Sequence, residues 1–258
     1  SGKTKTAWLW TYARDDRTFG GQAPPMVAYR FEDSRGGENV ERHLAGYIGL
    51  LQVDGWGAYN RLAETKRVGG PLQLAACWAH LRRKFFELHV SGVSHVASET
   101  VERMAGLWAV EEPIRGYDPE ARRSARQEQS AAIVADLWPF WEKELGRISG
   151  KSKLAEAIRY ARSRREALER FLNDGRLDID SNAVERAIRP QTITRKNALF
   201  AGSDGGGKTW ATIATLLQTA KMNDVDPFDW LVQTLQRIAA GWPNSDLDQL
   251  LPVNHHPR

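Results

Sequence analysis

The feature that most constrains this chain is a change in the period of its hydrophobic residues, about a quarter of the way along. Residues 7–13 alternate between two faces, with Trp8 and Trp10 on the same face, and a period of two is typical of a β-strand. Residues 26–31 alternate again, which predicts an antiparallel hairpin. From about Ala75 onward the apolar residues recur at helical spacing. We therefore predict an α/β protein whose strands come first and whose helices follow.

A third predicted strand is a mostly apolar run at residues 47–53, which ends at Asp54-Gly55. Such a run is typical of a strand that is buried on both faces, and it predicts a central position in a mixed sheet. A short helix is predicted before it, at residues 39–45. Asp54 would then lie at the carboxyl edge of the sheet, where open α/β sheets build their sites. The alternative interpretation is an ordinary turn aspartate.

Helical patterns fill most of the remaining chain. They cover roughly residues 95–112, 120–145, 151–173, 209–222 and 226–241. We expect Gly175 to end the third of these helices as a left-handed cap. A further helix opens at Asp180-Ser181-Asn182, and we expect Pro190 to stop it. Asp226 and Pro227 suit the start of the last helix.

Composition bounds the class of protein. With 258 residues the chain suits one large domain or two modest ones. Its single cysteine, Cys77, excludes an intramolecular disulfide and a zinc site of several thiolates, and it fits a reducing cytoplasm. The 36 Lys and Arg against 32 Asp and Glu leave a net charge of +4, which permits a nucleic-acid partner without demanding one. No apolar run approaches the roughly 18 residues that a membrane span needs.

Glu185 lies one turn into the helix that opens near Asn182. With Asn182 as N-cap, a glutamate three residues later matches a capping box, which is the structural interpretation. The functional interpretation is a metal ligand carried by a helix, with arginines nearby to meet phosphate. The basic residues of this cluster are Arg186, Arg189, Arg195 and Lys196.

Cys77 and His80 begin another predicted helix, and Lys84 lies one turn beyond His80. Residues at these spacings share one face, so the three side chains could line one site. Two candidate ligands are too few for a closed structural zinc site. A small buried cysteine beside a hydrogen-bonded histidine is the alternative to a role in supporting a site.

Residues 202–209 match the phosphate-binding pattern G-x-x-x-x-G-K-[ST] letter for letter. In that motif backbone amides cradle the phosphates and a lysine, here Lys208, neutralises them. Residues 198–201 could form a short strand before it, but the segments that follow are predicted as helices. A P-loop domain needs further parallel strands and an acidic strand end. We therefore expect a flexible glycine loop, and a P-loop ATPase that uses Lys208 and Thr209 is the alternative.

Six segments occur in an order that is more specific than any one motif. They are GKTKT at 2–6, WTYARDDR at 10–17, LQVDGWGAY at 51–59, CWAHLRRKF at 77–85, DSNAVERAIRP at 180–190 and RKNALFAGS at 195–203. Together they resemble the transposases of the insertion-sequence-sixty-six family, which are bacterial DDE-type enzymes. The resemblance covers nearly the whole chain, and residues 223–252 resemble the small C-terminal region of that family.

The resemblance implies a ribonuclease-H-like mixed-sheet core in a catalytic domain at residues 1–196. A large helical insertion would lie at about 90–175, and a small helical C-terminal region at 197–258. It also implies three carboxylates that hold two divalent ions, Mg²⁺ or Mn²⁺, and Asp54 and Glu185 match two of these carboxylates. The side chains expected to support this site are Cys77, His80 and Asn182, and those expected to bind DNA are Arg186, Arg189, Arg195 and Lys196.

The chain departs from the family pattern at its start. In the family the first catalytic aspartate lies upstream of the segment that matches residues 2–4, so we expect this chain to begin after it and to lack full activity. Asp15 and Asp16 do not replace it, because they lie at the far end of the first strand. A strand of that length would place them roughly 20 Å from the required edge.

The resemblance also implies the partners and the setting. We expect double-stranded DNA, both transposon ends and target, a homo-oligomer in the active complex, no membrane, and a bacterial cytoplasmic protein associated with the nucleoid. Besides the P-loop ATPase, the alternative is a remnant that binds DNA through its basic face without catalysis.

Overall fold

A computed structural model describes residues 4–64 and 66–255, and this part of the chain is a mixed α/β structure. Its strands are β1 (Trp8–Arg14), β2 (Met26–Glu32), β3 (Leu50–Val53) and β4 (Gln73–Ala76). Its α-helices are α1 (Gly37–His43), α2 (Trp78–Val90), α3 (His95–Glu111), α4 (Pro119–Ala125), α5 (Ala131–Leu145), α6 (Lys153–Arg162), α7 (Arg165–Glu169), α8 (Asn182–Asn197), α9 (Asp204–Met222) and α10 (Pro227–Ala239). None of the helices in these residues has both the length and the apolar character needed to cross a membrane.

The chain divides into two compact units, and each is described by itself. The hairpin unit consists of Ser1–Arg17, Gln22–Arg35 and Asn182–Arg258, and the helical unit consists of Thr18–Gly21 and Gly36–Ser181. The first contains β1, β2 and the helices from α8 onward, whereas the second contains β3, β4 and the helices up to α7. The boundaries predicted for the catalytic and C-terminal regions remain predictions.

The hairpin unit confirms the predicted hairpin. Strands β1 and β2 pair antiparallel, with Trp8 opposite Glu32 and Arg14 opposite Met26. Helix α9 packs on β2, and the small core between them includes Val27. The alternation of the sequence decides this pairing, because it presents one apolar face along each strand.

The outer edge of β2 is closed by side chains of α9. The hydroxyl of Thr215 accepts a hydrogen bond from the amide of Tyr29 at 2.9 Å, and that of Thr219 accepts one from the amide of Val27 at 3.3 Å. An open strand edge presents unpaired amides that must find partners when they are buried. Two threonines one helical turn apart supply them here.

The helical unit contains a parallel pair, β3 and β4, in which Leu50 lies opposite Gln73 and Val53 opposite Ala76. The prediction of a central strand that is buried on both faces was wrong for the described residues. There β3 pairs with β4 alone, and three of its four residues are only partly buried. Ile48, within the predicted strand, is 76% exposed. Strand β4 was not predicted, because a segment of four residues is too short to show a period.

The core of the helical unit is aromatic, and it confirms the helical stripe that follows Ala75. The rings of Phe85 and Trp141 stack at 5.4 Å, and Trp138 meets Trp141 edge to face at 5.1 Å. The indole of Trp78 donates a hydrogen bond to the carbonyl of Leu168 at 2.9 Å, so its polar atom is satisfied. The residues of the stripe are Trp78, Leu81, Phe85 and Leu88, all of them buried.

Two predicted helix ends were wrong. Gly175 does not adopt the left-handed conformation. A side chain there would lie 1.8 Å from the carbonyl oxygen of Pro119, so close packing requires the glycine. Pro190 does not stop α8, which continues to Asn197. Tertiary contacts hold this helix on both sides of the proline: the hydroxyl of Tyr29 donates to the carbonyl of Ala187, and Gln191 accepts from the indole of Trp210.

Candidate functional site

Asp54 lies at the carboxyl edge of the parallel pair, as expected. It follows β3 directly, and Cys77 follows β4. Because Val53 and Ala76 are register partners, both residues leave the pair at the same edge. Asp54 is exposed, and its Oδ1 accepts a hydrogen bond from the amide of Trp56 at 2.9 Å. The turn interpretation is therefore also correct, and among the described residues Oδ2 makes no hydrogen bond.

Aromatic and basic side chains surround the main chain of Asp54. The hydroxyl of Tyr160, on α6, donates to the carbonyl of Asp54 at 3.2 Å, and Nη2 of Arg164 donates to the carbonyl of Gly55 at 3.1 Å. Burial, with a further contribution from the charge of Asp54, raises the pKa of Tyr59 to about 12. This phenol therefore keeps its proton even at pH values at which an ordinary tyrosine loses it.

Cys77 is buried and bonds to the residue that precedes α8. Both the amide and the hydroxyl of Ser181 lie 3.3 Å from its Sγ. Burial acts to raise the pKa of the Cys77 thiol, but hydrogen bonds from His80 and Ser181 outweigh it and lower that pKa below its ordinary value. These contacts match the structural interpretation of a buried cysteine. The role of Cys77 and His80 in supporting catalysis remains a prediction.

Residues 177–181, here called the strap, lie at the carboxyl end of the parallel pair. The amide of Trp78 donates to the carbonyl of Ile179 at 3.0 Å, and the side chain of Gln52 donates to the carbonyl of Asp178 at 2.7 Å. The strap thus completes hydrogen bonds at the end of the short parallel pair, and it leads directly into α8.

A buried charge network holds the other side of the strap, and the sequence interpretation missed it. Arg126 is fully buried and binds Glu111 in a bidentate pair at 2.6 and 2.7 Å. It also donates to the carbonyl of Leu177 at 2.7 Å, while Arg122 donates to Asp178 at 2.9 Å. The signal available in the sequence was weak, since two arginines one helical turn apart usually form a solvated face.

The other predicted site residues lie on α8 in the hairpin unit. Asn182 is the first residue of this helix rather than the residue before it, and Glu185 is exposed. The predicted DNA-binding residues, Arg186, Arg189, Arg195 and Lys196, are exposed as well. Asp54, Cys77 and His80 thus belong to one unit, whereas Asn182, Glu185 and the basic cluster belong to the other.

The two aspartates near the end of β1 are both engaged by arginines. Arg17 binds Asp15 through two hydrogen bonds of 2.8 Å, and this guanidinium holds the pKa of Asp15 below its ordinary value. Arg14 binds Asp16. The exclusion of both carboxylates as metal ligands remains a prediction.

The donor chemistry of Asp54 and Glu185 suits a hard divalent cation, because carboxylate oxygens are the ligands that Mg²⁺ prefers. Their number is insufficient. Within residues 4–64 and 66–255, no three His, Cys, Asp or Glu side chains come together as a possible metal site. The described residues therefore do not form a complete metal centre by themselves.

The glycine-rich stretch is not the flexible loop that we predicted. Helix α9 begins at Asp204, the side chain of Ser203 caps it by accepting from the amide of Gly206 at 3.0 Å, and the amide of Gly207 bonds to the carbonyl of Ser203 at 2.9 Å. A side chain at Gly207 would collide with the ring of Phe31. Amides that are used by the helix cannot cradle phosphates, and residues 198–201 are not a strand. The P-loop interpretation is therefore not favoured.

Comparison with known proteins assigns the chain to a family. The model of the Transposase IS66 family matches residues 1–209, and the model of the IS66 C-terminal element matches residues 215–253. No solved structure matches the chain.

The relatives include three uncharacterized proteins of Sinorhizobium fredii (strain NBRC 101917 / NGR234). The protein y4qI is 65% identical, and the match covers 100% of this chain and 48% of the relative. The protein y4jD is 42% identical over 98% of this chain and 50% of its own length, and y4hP is 38% identical over 97% and 47%. The chain thus spans about half the length of the curated relatives it matches. With both family models matched in order along its length, the chain belongs to the IS66 transposase family.

Proposed function

We propose that this chain is part of a DDE transposase that cleaves and joins DNA strands at transposon ends, with Asp54 and Glu185 as two of its metal ligands. The observation that carries the proposal is the exposed carboxylate of Asp54 at the carboxyl edge of a parallel strand pair, in a chain of the IS66 family. The exposed position of Glu185 one turn into α8 supports its assignment as the second ligand.

The proposed core is ribonuclease-H-like. An antiparallel hairpin followed by a parallel pair supports it, and in the described residues β1 pairs only with β2 and β3 only with β4. We propose that the first catalytic aspartate lies on a further strand of this core.

Two Mg²⁺ or Mn²⁺ ions would activate the attacking oxygen and stabilise the leaving one. The chain would contribute Asp54 and Glu185 to hold them. Arg186, Arg189, Arg195 and Lys196 would neutralise backbone phosphates, which positions a duplex without reading its sequence. Binding of double-stranded DNA at transposon ends and target, a homo-oligomeric active complex and association with the bacterial nucleoid belong to the same proposal.

The test is Mg²⁺-dependent nicking and strand transfer on duplexes that carry the transposon ends. The complete gene product that contains this chain should nick them. Asp54→Asn and Glu185→Gln should each reduce the rate by at least about 10³-fold, because each removes a ligand of the metals that stabilise the transition state. Asp136→Asn, which removes an exposed carboxylate on α5, is the matched control and should leave the rate unchanged.

Two outcomes would contradict the proposal. Robust nicking that survives Asp54→Asn would remove Asp54 from the site. Salt-dependent duplex binding that survives both substitutions, without cleavage by the unaltered protein, would favour the DNA-binding remnant. The residues 1–258 alone are expected to be inactive, and nicking by them would show that this chain supplies every carboxylate that catalysis needs.

A further inference from the structure

We propose that Tyr160 and Arg164 are positioning residues that hold the main chain of Asp54 and Gly55 and thereby direct the Asp54 carboxylate toward the metal. This inference depends on the proposed function for its consequence, but its contacts lie entirely within the helical unit. It assigns a positioning role to the helices of the helical unit, because Tyr160 lies on α6 and Arg164 directly precedes α7.

The two contacts fall on consecutive carbonyl groups. Tyr160 donates its hydroxyl to the carbonyl of Asp54 at 3.2 Å, and Arg164 donates Nη2 to the carbonyl of Gly55 at 3.1 Å. The guanidinium of Arg164 also lies over the ring of Tyr160, at 4.0 Å from its centroid, so each side chain restrains the other. We call this pair the clamp.

Gly55 shows that the clamp fits closely. Its φ is +89°, in the left-handed region that favours glycine, so the chain turns sharply directly after Asp54. A β-carbon there would lie 2.1 Å from the hydroxyl oxygen of Tyr160. The turn that presents the carboxylate therefore has both a backbone conformation and a neighbour that exclude any larger residue.

Arg164 makes three hydrogen bonds within the protein. Besides the bond to Gly55, its Nη1 lies 2.9 Å from the hydroxyl of Ser163 and 3.4 Å from the carbonyl of Tyr160. Both terminal nitrogens thus have partners within the chain, and one face of the guanidinium lies over a ring. A planar fork that binds phosphate needs those nitrogens free. The geometry indicates positioning rather than substrate contact.

The clamp and the hydrogen bond from the amide of Trp56 act on different atoms around Asp54. The amide of Trp56 holds Oδ1 at 2.9 Å, whereas the clamp holds the carbonyl group and the residue that follows. Together they orient the carboxylate and leave Oδ2 as the oxygen that can bind a cation. Groups that orient a metal-ligating side chain are worth about 10- to 100-fold in metal affinity or activity, and we expect an effect at the lower end because the clamp acts through the main chain.

The first measurement is a Mg²⁺ titration of nicking by the complete gene product. Tyr160→Phe and Arg164→Lys should each raise the Mg²⁺ concentration for half-maximal nicking by about tenfold or more. Saturating Mg²⁺ should restore most of the maximal rate for Tyr160→Phe, since all ligands remain. The matched control is Arg162→Lys, an exposed arginine on α6 that lies 3.7 Å from Glu142, and it should titrate like the unaltered protein.

The second measurement needs no activity and uses residues 1–258 alone. Mn²⁺ should broaden the amide resonances of Gly55 and Trp56, and Asp54→Asn should abolish the effect. The clamp variants should require about tenfold more Mn²⁺ for the same broadening. Their unchanged resonances elsewhere would show that both variants fold.

The two measurements separate this inference from the proposed function. If the variants shift the Mn²⁺ titration while the unaltered gene product never nicks DNA, the clamp stands and the proposed function fails. If nicking depends on Asp54 but both variants titrate like the unaltered protein, the clamp is overturned and the function stands. Absence of both Mn²⁺ broadening and nicking would overturn both.

Discussion

The two units close their small sheets by opposite means. In the hairpin unit, hydroxyl groups of α9 bond to the amides at the edge of β2. In the helical unit, a strap of main chain bonds to Gln52 of β3 and to Trp78 just after β4, and fully buried arginines hold its far side. The first solution uses neutral groups that cost little to bury, whereas the second buries charges that need exact partners. The second unit should therefore respond more strongly to the loss of a single side chain.

The largest effect is expected at Arg126. Arg126→Met leaves Glu111 buried without its bidentate partner and frees the carbonyl of Leu177, so the free energy of unfolding should fall by about 3–5 kcal/mol. Urea denaturation of residues 1–258 measures it. Arg122→Met should cost less, because two nitrogens of Arg122 already have no partner in the described residues.

The exposed Arg123, which pairs with Glu120, is the matched control for that series. Arg123→Met should leave the urea midpoint unchanged, since surface pairs contribute little. An effect at Arg126 no larger than that at Arg123 would show that the network is not needed for stability.

A smaller effect is expected in the hairpin unit. Thr219→Val keeps the shape of the side chain but leaves the buried amide of Val27 unpaired, which should cost about 1–3 kcal/mol. Hydrogen exchange at Val27 should accelerate in the variant. Thr212→Val, an exposed threonine of α9, is the control and should leave this amide unchanged. A loss that matches Arg126→Met would remove the contrast between the units.

The smallest expected effect is on the pH dependence of the free energy of unfolding, and it comes from the ionisation of one tyrosine in each unit. Burial raises the pKa values of Tyr29 and Tyr59 to about 12. An unfolded tyrosine loses its proton near pH 10, so the folded state holds more protons between about pH 10 and 12. The free energy of unfolding should fall as the pH rises through that range and should not change below it. Tyr29→Phe and Tyr59→Phe should each reduce the slope, and equal slopes in all three proteins would contradict both shifts.

Much of the fold and part of the site followed from the sequence. The hairpin, the stripe at Trp78 and the position of Asp54 after a strand were predicted correctly, since each depends on residues only a few positions apart. The family resemblance was confirmed by the match to both family models. The roles of Asp54, Glu185 and the basic cluster remain proposals.

The failures share a physical cause. The proline in α8 is tolerated because Tyr29 and Trp210, distant in the chain, hold the helix on either side of it. Gly175 is required by its neighbour Pro119 and not by a helix cap. Glycines at the start of α9 were interpreted as a loop, although one of them packs against Phe31. The local conformational preference of a residue predicts the wrong structure wherever a contact with a distant part of the chain contributes more free energy than that preference.

By itself the sequence determined the hairpin, the helical stripe at Trp78, the family and the turn that follows Asp54, because periodicity and turn chemistry act over one or two turns of chain. Only the tertiary structure decided that β3 pairs with β4, that Arg126 is buried and that Tyr160 and Arg164 hold the turn at Gly55. Those outcomes join residues as many as 109 positions apart. A contact of that range leaves no period in the sequence, and its stability comes from burial and partners that exist only once the chain has folded.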